Sequence, residues 1–96
     1  MFILVTYDVD TVSEKGQKRL RMVAKLCKNY GQRVQNSVFE CEMSEAQYVT
    51  LKEALRQIID EQLDSIRFYH LNKNKNHSVE RLGKDTSYDV EGPLIL

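Results

Sequence analysis

The chain lacks the features that mark membrane and secreted proteins. It has no run of about 20 apolar residues, which a membrane-spanning helix requires. Residues 1–5 have neither the basic segment nor the small-residue cleavage site of a signal peptide. Its two cysteines, Cys27 and Cys41, are too far apart for a CxxC site and too few for a disulfide framework. We therefore expect a cytoplasmic protein in which both cysteines pack as small apolar residues.

Familiar catalytic signatures are absent from the sequence as well. There is no glycine-rich phosphate loop, no HExxH motif, no zinc-ligand spacing and no Ser/His/Asp order. The 96 residues, 42% of them apolar and 29% charged, are typical of one soluble globular domain. A domain of this size buries only about 60–65% of its unfolded surface, so a partner subunit would add useful burial.

The formal net charge is zero, but the charges are sorted along the chain. Residues 15–39 contain no acid and seven bases, which are Lys15, Lys18, Arg19, Arg21, Lys25, Lys28 and Arg33. Residues 40–64 contain seven acids, which are Glu40, Glu42, Glu45, Glu53, Asp60, Glu61 and Asp64, against two bases. A neutral protein sorted in this way can present a strongly positive face.

The first half of the chain predicts a buried strand followed by a basic amphipathic helix. Residues 2–7 are almost continuously apolar and β-branched or aromatic, which is typical of a central strand covered on both faces. Residues 14–30 carry an apolar stripe at three- and four-residue spacing, and Gly31 is placed to cap that helix. A second face of the helix bears a basic ridge of four cations, Lys18, Arg21, Lys25 and Lys28.

The second half predicts extended segments around another helix. Residues 32–43 form either one bent strand or two short ones around Asn36 and Ser37. A capping box at Ser44 opens a helix with an apolar stripe, residues 65–71 alternate as a strand, and 72–77 are a polar loop. The apolar end at 94–96 would gain cover from a second subunit.

This order, β-α-β(β)-α-β with extra extended material, predicts an α+β ferredoxin-like fold with two helices on one face of a mixed sheet. We expect residues 1–96 to form one domain, with a core over about 1–71 and a C-terminal extension over about 72–96. Such a fold hosts many functions, so the function has to come from particular residues.

The carboxylates are the candidates for chemistry, and Asp8 is the best placed. It follows Tyr7 at the end of the predicted central strand, so the sheet would fix its position. The pattern alone leaves open that Asp8 only stabilises the turn or caps the first helix, and a turn role is favoured for Asp10. His70 is expected to be an interior histidine and His77 a loop residue, and neither is assigned a catalytic role.

Two segments resemble the signatures of the CRISPR-associated Cas-two (Cas2) family. One is Tyr7-Asp8-Val9 followed by a basic helix, and the other is residues 31–40, GQRVQNSVFE, whose G-x-R-x-Q-x-S-V-F-E pattern is the more specific. The resemblance covers residues 1–71. It implies a homodimer with a β-α-β-β-α-β core, in which the C-terminal extension packs on the dimer partner.

The resemblance also implies a function. Family members act with the Cas-one (Cas1) integrase in spacer acquisition for antiviral defence, and several are metal-dependent endonucleases on RNA or double-stranded DNA. The strand-end acid of the family corresponds to Asp8. The resemblance therefore implies that Asp8 is the catalytic residue and that the Asp8 side chains of both subunits are the ligands of Mg²⁺ (or Mn²⁺). Other family positions, with the basic ridge, give a set that engages nucleic acid, namely Tyr7, Lys18, Arg19, Arg21, Lys25, Lys28, Arg33 and Phe39.

Alternatives remain for these residues and for the protein. Phe39 and Tyr7 either stack on bases or pack in the core, and the basic ridge is either a phosphate contact or a solvated helix face. The protein is expected to be a nuclease, with a non-catalytic DNA-binding scaffold that bridges the Cas1 integrase as the alternative. A regulatory dimer that binds a small ligand is a third interpretation, and it predicts no salt-dependent affinity for nucleic acid.

Overall fold

The apolar and amphipathic runs of the sequence form alternating strands and helices. The computed structural model describes residues 1–71 and 78–84. Within them the elements are β1 (Phe2–Asp8), α1 (Glu14–Lys28), β2 (Gly31–Gln35), β3 (Val38–Glu42), α2 (Glu45–Ile58), β4 (Ser65–Leu71) and β5 (Ser78–Gly83). In these residues no helix is long and apolar enough to span a membrane.

The strands form a single sheet in the order β2-β3-β1-β4-β5, with β1 at the centre as predicted. Every neighbouring pair is antiparallel, so the expectation of a mixed sheet was wrong. The reason is topological: β1 and β2 run in the same direction, but β3 lies between them. This split β-α-β arrangement is the ferredoxin-like fold, which confirms the predicted class.

One face of the sheet packs against both helices. Ile3 and Val5 of β1 join buried residues of α1 and α2 in a single hydrophobic core, which also contains Cys27 and Cys41. Burial raises the pKa of the Cys41 thiol to about 11 and that of the Cys27 thiol to about 12. Both cysteines are free and buried, which confirms their predicted role as packing residues.

The helix ends show one confirmed prediction and one correction. Ser44 opens α2 with the predicted capping box, in which Ser44 and Gln47 exchange side chain-to-backbone hydrogen bonds. The first helix ends at Lys28 with Asn29 as its C-cap, so Gly31 is not a cap. Instead Gly31 opens β2, where an added Cβ would lie 2.1 Å from the Glu40 carbonyl oxygen. The glycine is needed because the two strands approach so closely.

The remaining extended segments are assigned wherever the structure describes them. Residues 32–43 contain two strands, β2 and β3, joined by a turn at Asn36 and Ser37, with a register shift between Arg33 and Gln35. Residues 78–83, within the predicted extension, form β5 on β4 of the same chain. The predicted loop at 72–77 and the apolar end at 94–96 lie outside the described residues, and packing of the extension on a dimer partner stays a prediction.

Candidate functional site

Asp8 lies at the end of the central strand, as the sequence predicted. Its position is fixed because β1 pairs through Asp8 with Ser65 of β4. The side chain is exposed, and its carboxylate forms no hydrogen bond or ion pair with any residue that the structure describes. It does not cap the first helix, because the N-cap is Ser13, whose Oγ accepts from the Gly16 amide at 3.0 Å. The carboxylate is therefore available to a ligand.

The loop that follows Asp8 is held by hydrogen bonds and by close packing. The Asp10 carboxylate accepts from the Val12 amide at 3.0 Å, which supports the predicted turn role for Asp10. The Gln17 side-chain amide donates to the Thr11 carbonyl oxygen at 3.3 Å. Gly16 packs so tightly on this loop that an added Cβ would lie 1.8 Å from the Asp10 carbonyl oxygen. Hydrogen bonds and close packing thus tie the β1–α1 loop to the start of α1.

Arg19 lies beside this loop but does not project freely into solvent. Its Nε donates to Asp64 Oδ2 at 2.7 Å and its Nη2 to Asp64 Oδ1 at 3.3 Å. Asp64, immediately before β4, is fully buried. Sequence reasoning missed Asp64, and the only signal was an acid directly before an apolar strand. Contact of Arg19 with nucleic acid remains a prediction, and any such contact has to coexist with this ion pair.

The basic ridge on α1 is exposed, as expected. All four of its cations lie on the solvent side of the helix, and none pairs with an acid among residues 1–71 or 78–84. From Lys18 to Lys28 the helix rises about 15 Å, at about 1.5 Å per residue. The ridge therefore begins near the loop that carries Asp10 and leads away along the molecule.

A stacked group of three side chains lies at the end of the sheet that carries Asp8, and its members are Tyr7, Arg33 and Phe39. Phe39 is completely buried, and its ring centroid is 6.1 Å from that of Tyr7. The exposed Arg33 places its guanidinium carbon 5.3 Å from the Phe39 centroid. The Tyr7 hydroxyl donates to the Asn36 carbonyl oxygen at 3.2 Å, and burial raises the pKa of Tyr7 despite the nearby Arg33. Both aromatic rings therefore pack in the core, and Arg33 is the exposed residue of the three.

A second polar cluster lies on another part of the protein. His70 Nε2 is 3.0 Å from the Tyr48 hydroxyl and 3.2 Å from Glu80 Oε1, and Lys52 Nζ lies 2.5 Å from the other Glu80 oxygen. The hydrogen bond from Lys52 is the main reason that the pKa of Glu80 is lowered. His70 is half-buried and has polar partners, in agreement with the interior histidine predicted for it.

The described residues of one chain do not make a metal site by themselves. No group of three or more His, Cys, Asp and Glu side chains that could hold an ion occurs in 1–71 and 78–84. Asp8 supplies a single carboxylate, while Mg²⁺ takes one or two carboxylates together with waters and substrate phosphates. Among the described residues of one chain, Asp8 therefore offers one of the carboxylates that such an ion takes.

Comparisons with known proteins agree on one family. The model of the family described as "CRISPR associated protein Cas2" matches residues 1–79. The chain is 55% identical over 95 residues to the "CRISPR-associated endonuclease Cas2" of Halalkalibacterium halodurans, covering 99% of both chains. It is 55% identical over 94 residues to the "CRISPR-associated endoribonuclease Cas2 3" of Rhodospirillum rubrum, covering 98% of this chain and 99% of that one.

Solved structures give the same result for the fold. The crystal structure of Streptococcus pyogenes Cas2 at pH 6.5 is similar with a TM-score of 0.72 and 65% identity, over 77% of this chain and 89% of that one. A structure described as "Crystal structure of cas2" has a TM-score of 0.64 and 35% identity, over 100% and 98% of the two chains.

Proposed function

The chain belongs to the CRISPR-associated Cas2 family, and from that premise we propose that it is a homodimeric, divalent-metal-dependent endonuclease that hydrolyses phosphodiester bonds in CRISPR spacer acquisition and antiviral defence. Relatives named as endonuclease and endoribonuclease support the activity. The observation that carries the proposal is the exposed, uncommitted Asp8 carboxylate at the end of the central strand. The proposal includes a cytoplasmic location, which two free, buried cysteines support because they are typical of a reducing compartment.

Symmetry supplies what the single chain lacks. An isologous dimer doubles every residue near its two-fold axis, so two Asp8 carboxylates meet if the end of β1 lies at that axis. The sheet face opposite the helices supports such a dimer, because it carries apolar side chains that neither α1 nor α2 covers. Phe2 is 48% exposed on this face and Val79 is 37% exposed. Burying them against a second copy would stabilise the small domain.

Each group has a distinct role in the proposed reaction. The two Asp8 carboxylates would hold the divalent cation, and the strand pairing of Asp8 with Ser65 would keep each of them in position. When bound, the ion would lower the pKa of a water and stabilise the charge that develops on the phosphate. The basic ridge and Arg33 neutralise backbone phosphates, which gives little sequence preference.

The activity is tested by replacing Asp8 with asparagine, which keeps the shape and removes the charge. We expect cleavage to fall at least about 100-fold, because even outer-shell partners of a metal contribute 10–100-fold. Cleavage of duplex DNA, single-stranded DNA and RNA is measured with Mg²⁺, with Mn²⁺ and with chelator. Glu61→Gln, another exposed carboxylate, is the matched control and keeps full activity. Wild-type rates in Asp8→Asn, or in chelator, contradict the proposal.

A scaffold that bridges the Cas1 integrase is the second candidate. It is favoured by the exposed basic ridge, which has no acidic partner in residues 1–71 and 78–84. This function needs the cations on α1 but not the carboxylate of Asp8. An integrase assembly assay with Asp8→Asn separates the two: intact assembly without cleavage supports the scaffold alongside the nuclease. Failure of assembly in a quadruple substitution of the ridge, with Asp8 intact, would show that the ridge carries it.

Binding by the basic ridge predicts a salt dependence. The logarithm of the affinity for duplex DNA falls linearly with the logarithm of the salt concentration, and each neutralised phosphate makes the slope steeper by about 0.9. Lys25→Gln should therefore flatten the slope by about 0.9 for each phosphate that Lys25 neutralises, on all sequences alike. Fluorescence anisotropy at several salt concentrations measures the slope. Arg56→Gln, an exposed arginine of α2 paired with Glu53, is the control and leaves it unchanged. A Lys25→Gln slope equal to wild type would make this position a solvated helix face.

A further inference from the structure

Arg19 differs from the other cations of α1 in what surrounds it. Its side chain is only 15% exposed and is bound through two nitrogens to the fully buried carboxylate of Asp64. Lys18, directly before it, and Arg21, two residues after it, are exposed and have no acidic partner in the described chain. A cation already neutralised by a buried acid releases few counterions when a phosphate approaches, so it adds little to salt-dependent affinity.

Asp64 joins three parts of the chain at one point. Besides Arg19 on α1, its Oδ1 accepts from the Asp10 amide at 3.0 Å, and its Oδ2 accepts from the Asp60 amide at 2.9 Å. The carboxylate therefore receives four hydrogen bonds, two at each oxygen. A buried carboxylate satisfied in this way has one defined orientation, and so do the groups that donate to it.

This junction lies directly beside the proposed catalytic carboxylate. Asp64 precedes Ser65, the residue that pairs with Asp8 across the β1–β4 ladder. On the other side, the Asp10 amide bound by Asp64 lies two residues after Asp8. Asp8 is thus held by its strand partner and by its own loop. Asp64 is adjacent in sequence to the strand partner, and its carboxylate is hydrogen-bonded to the loop. Gly16 completes the arrangement by packing on the Asp10 carbonyl oxygen.

We propose that Arg19 and Asp64 are positioning residues, which set the end of β1 and the β1–α1 loop so that Asp8 takes its working geometry, and that Arg19 is not a phosphate contact. This inference rests on the proposed function for its consequence in cleavage. It predicts that the charge of Arg19 is not sufficient, because the forked guanidinium reaches both carboxylate oxygens and an ammonium does not. Arg19→Lys should therefore fail to rescue the activity that Arg19→Gln removes.

The test compares Arg19→Gln, Arg19→Lys and Asp64→Asn with wild type, and uses Arg56→Gln as the matched arginine control. We expect all three substitutions to lower kcat by up to about 100-fold, the effect of a displacement of about 1 Å at a reacting group. KM and the salt slope of binding should stay at their wild-type values. Amide hydrogen exchange at Asp10 and Asp60 should become faster, whether or not the protein cleaves. Assays are run where thermal melts show each variant folded, and if Asp64→Asn does not fold, the two Arg19 variants decide.

The other outcomes separate this inference from the proposed function. If Arg19→Gln flattens the salt slope by about 0.9 per phosphate and Arg19→Lys restores it, Arg19 grips phosphate and the inference is overturned. Unchanged kcat in the Arg19 variants, with Asp8→Asn inactive, overturns only the positioning role. If Asp8→Asn cleaves like wild type, the nuclease mechanism fails instead. In that event the Arg19 variants still test the inference. Amide hydrogen exchange at Asp10 as slow as in wild type overturns it, while faster exchange with an unchanged salt slope of binding sustains it.

Discussion

Asp64→Ala is expected to lower the free energy of unfolding by about 3–5 kcal/mol, which is the usual cost of removing one partner of a buried ion pair. The substitution leaves the Arg19 side chain, which is 15% exposed, without its counter-charge. It also removes the acceptor of the Asp10 and Asp60 amides. A buried donor without an acceptor costs about 1–3 kcal/mol, so the ion pair and the two amides point in the same direction.

Urea denaturation at pH 7 measures this loss, at one protein concentration because dimerisation would contribute to stability. The matched control is the exposed pair of Glu53 and Arg56 on α2, whose atoms are 3.5 Å apart. Glu53→Ala should change the free energy of unfolding by no more than about 0.5 kcal/mol, since exposed helix pairs contribute little. Equal losses in Asp64→Ala and Glu53→Ala would contradict the role of burial.

The same carboxylate predicts how stability depends on pH. Burial alone raises the pKa of Asp64, but hydrogen bonds from Arg19 and from the Asp60 and Asp10 amides outweigh it, so the pKa lies below its ordinary value. In the unfolded chain an aspartate has a pKa of about 3.9. The ionised group therefore stabilises the fold above that pH, and this contribution is lost as the pH falls through the folded-state pKa. The difference in unfolding free energy between wild type and Asp64→Asn should shrink in acid.

Local patterns were enough to predict most of the fold. The alternation of 65–71, the continuous apolar run of β1 and the capping box at Ser44 each report a property of a few neighbouring residues. Asp8 was found for the same reason, because a strand end is visible in the sequence. The antiparallel sheet was not, since it depends on β3 inserting between β1 and β2, which no local period encodes.

The contacts that were missed join distant parts of the chain. Arg19 and Asp64 are 45 residues apart, and their pairing exists only because α1 packs beside the start of β4. Gly31 is a residue type typical of helix caps, but glycine is needed here because the carbonyl oxygen of Glu40 on the neighbouring strand leaves no room for a Cβ. Arg19 and Gly31 had been singled out in the sequence, but their partners, Asp64 and Glu40, are set by tertiary packing.

Phe39 gives the sharpest case, because its sequence motif suggests nucleic acid and its surroundings are those of a core residue. We expect Phe39→Ala to lower the free energy of unfolding by about 3–5 kcal/mol, the cost of removing a fully buried phenylalanine ring. The cavity would lie beneath Arg33 and next to Tyr7, so both would be left without a packing partner there. Denaturation in urea at fixed protein concentration measures the loss.

Phe39→Leu, which keeps the site apolar and folded, decides between core and base contact. A stacking residue contributes about 1–3 kcal/mol of single-strand affinity per base, so its loss would weaken binding by about 5-fold or more. Phe68→Leu is the matched control, since Phe68 is equally buried but packs against Tyr48 instead. We expect both variants to bind single-stranded DNA like wild type. Weaker binding in Phe39→Leu alone would mean that the ring leaves the core to meet its substrate, because in its present position only Arg33 of this pair reaches solvent.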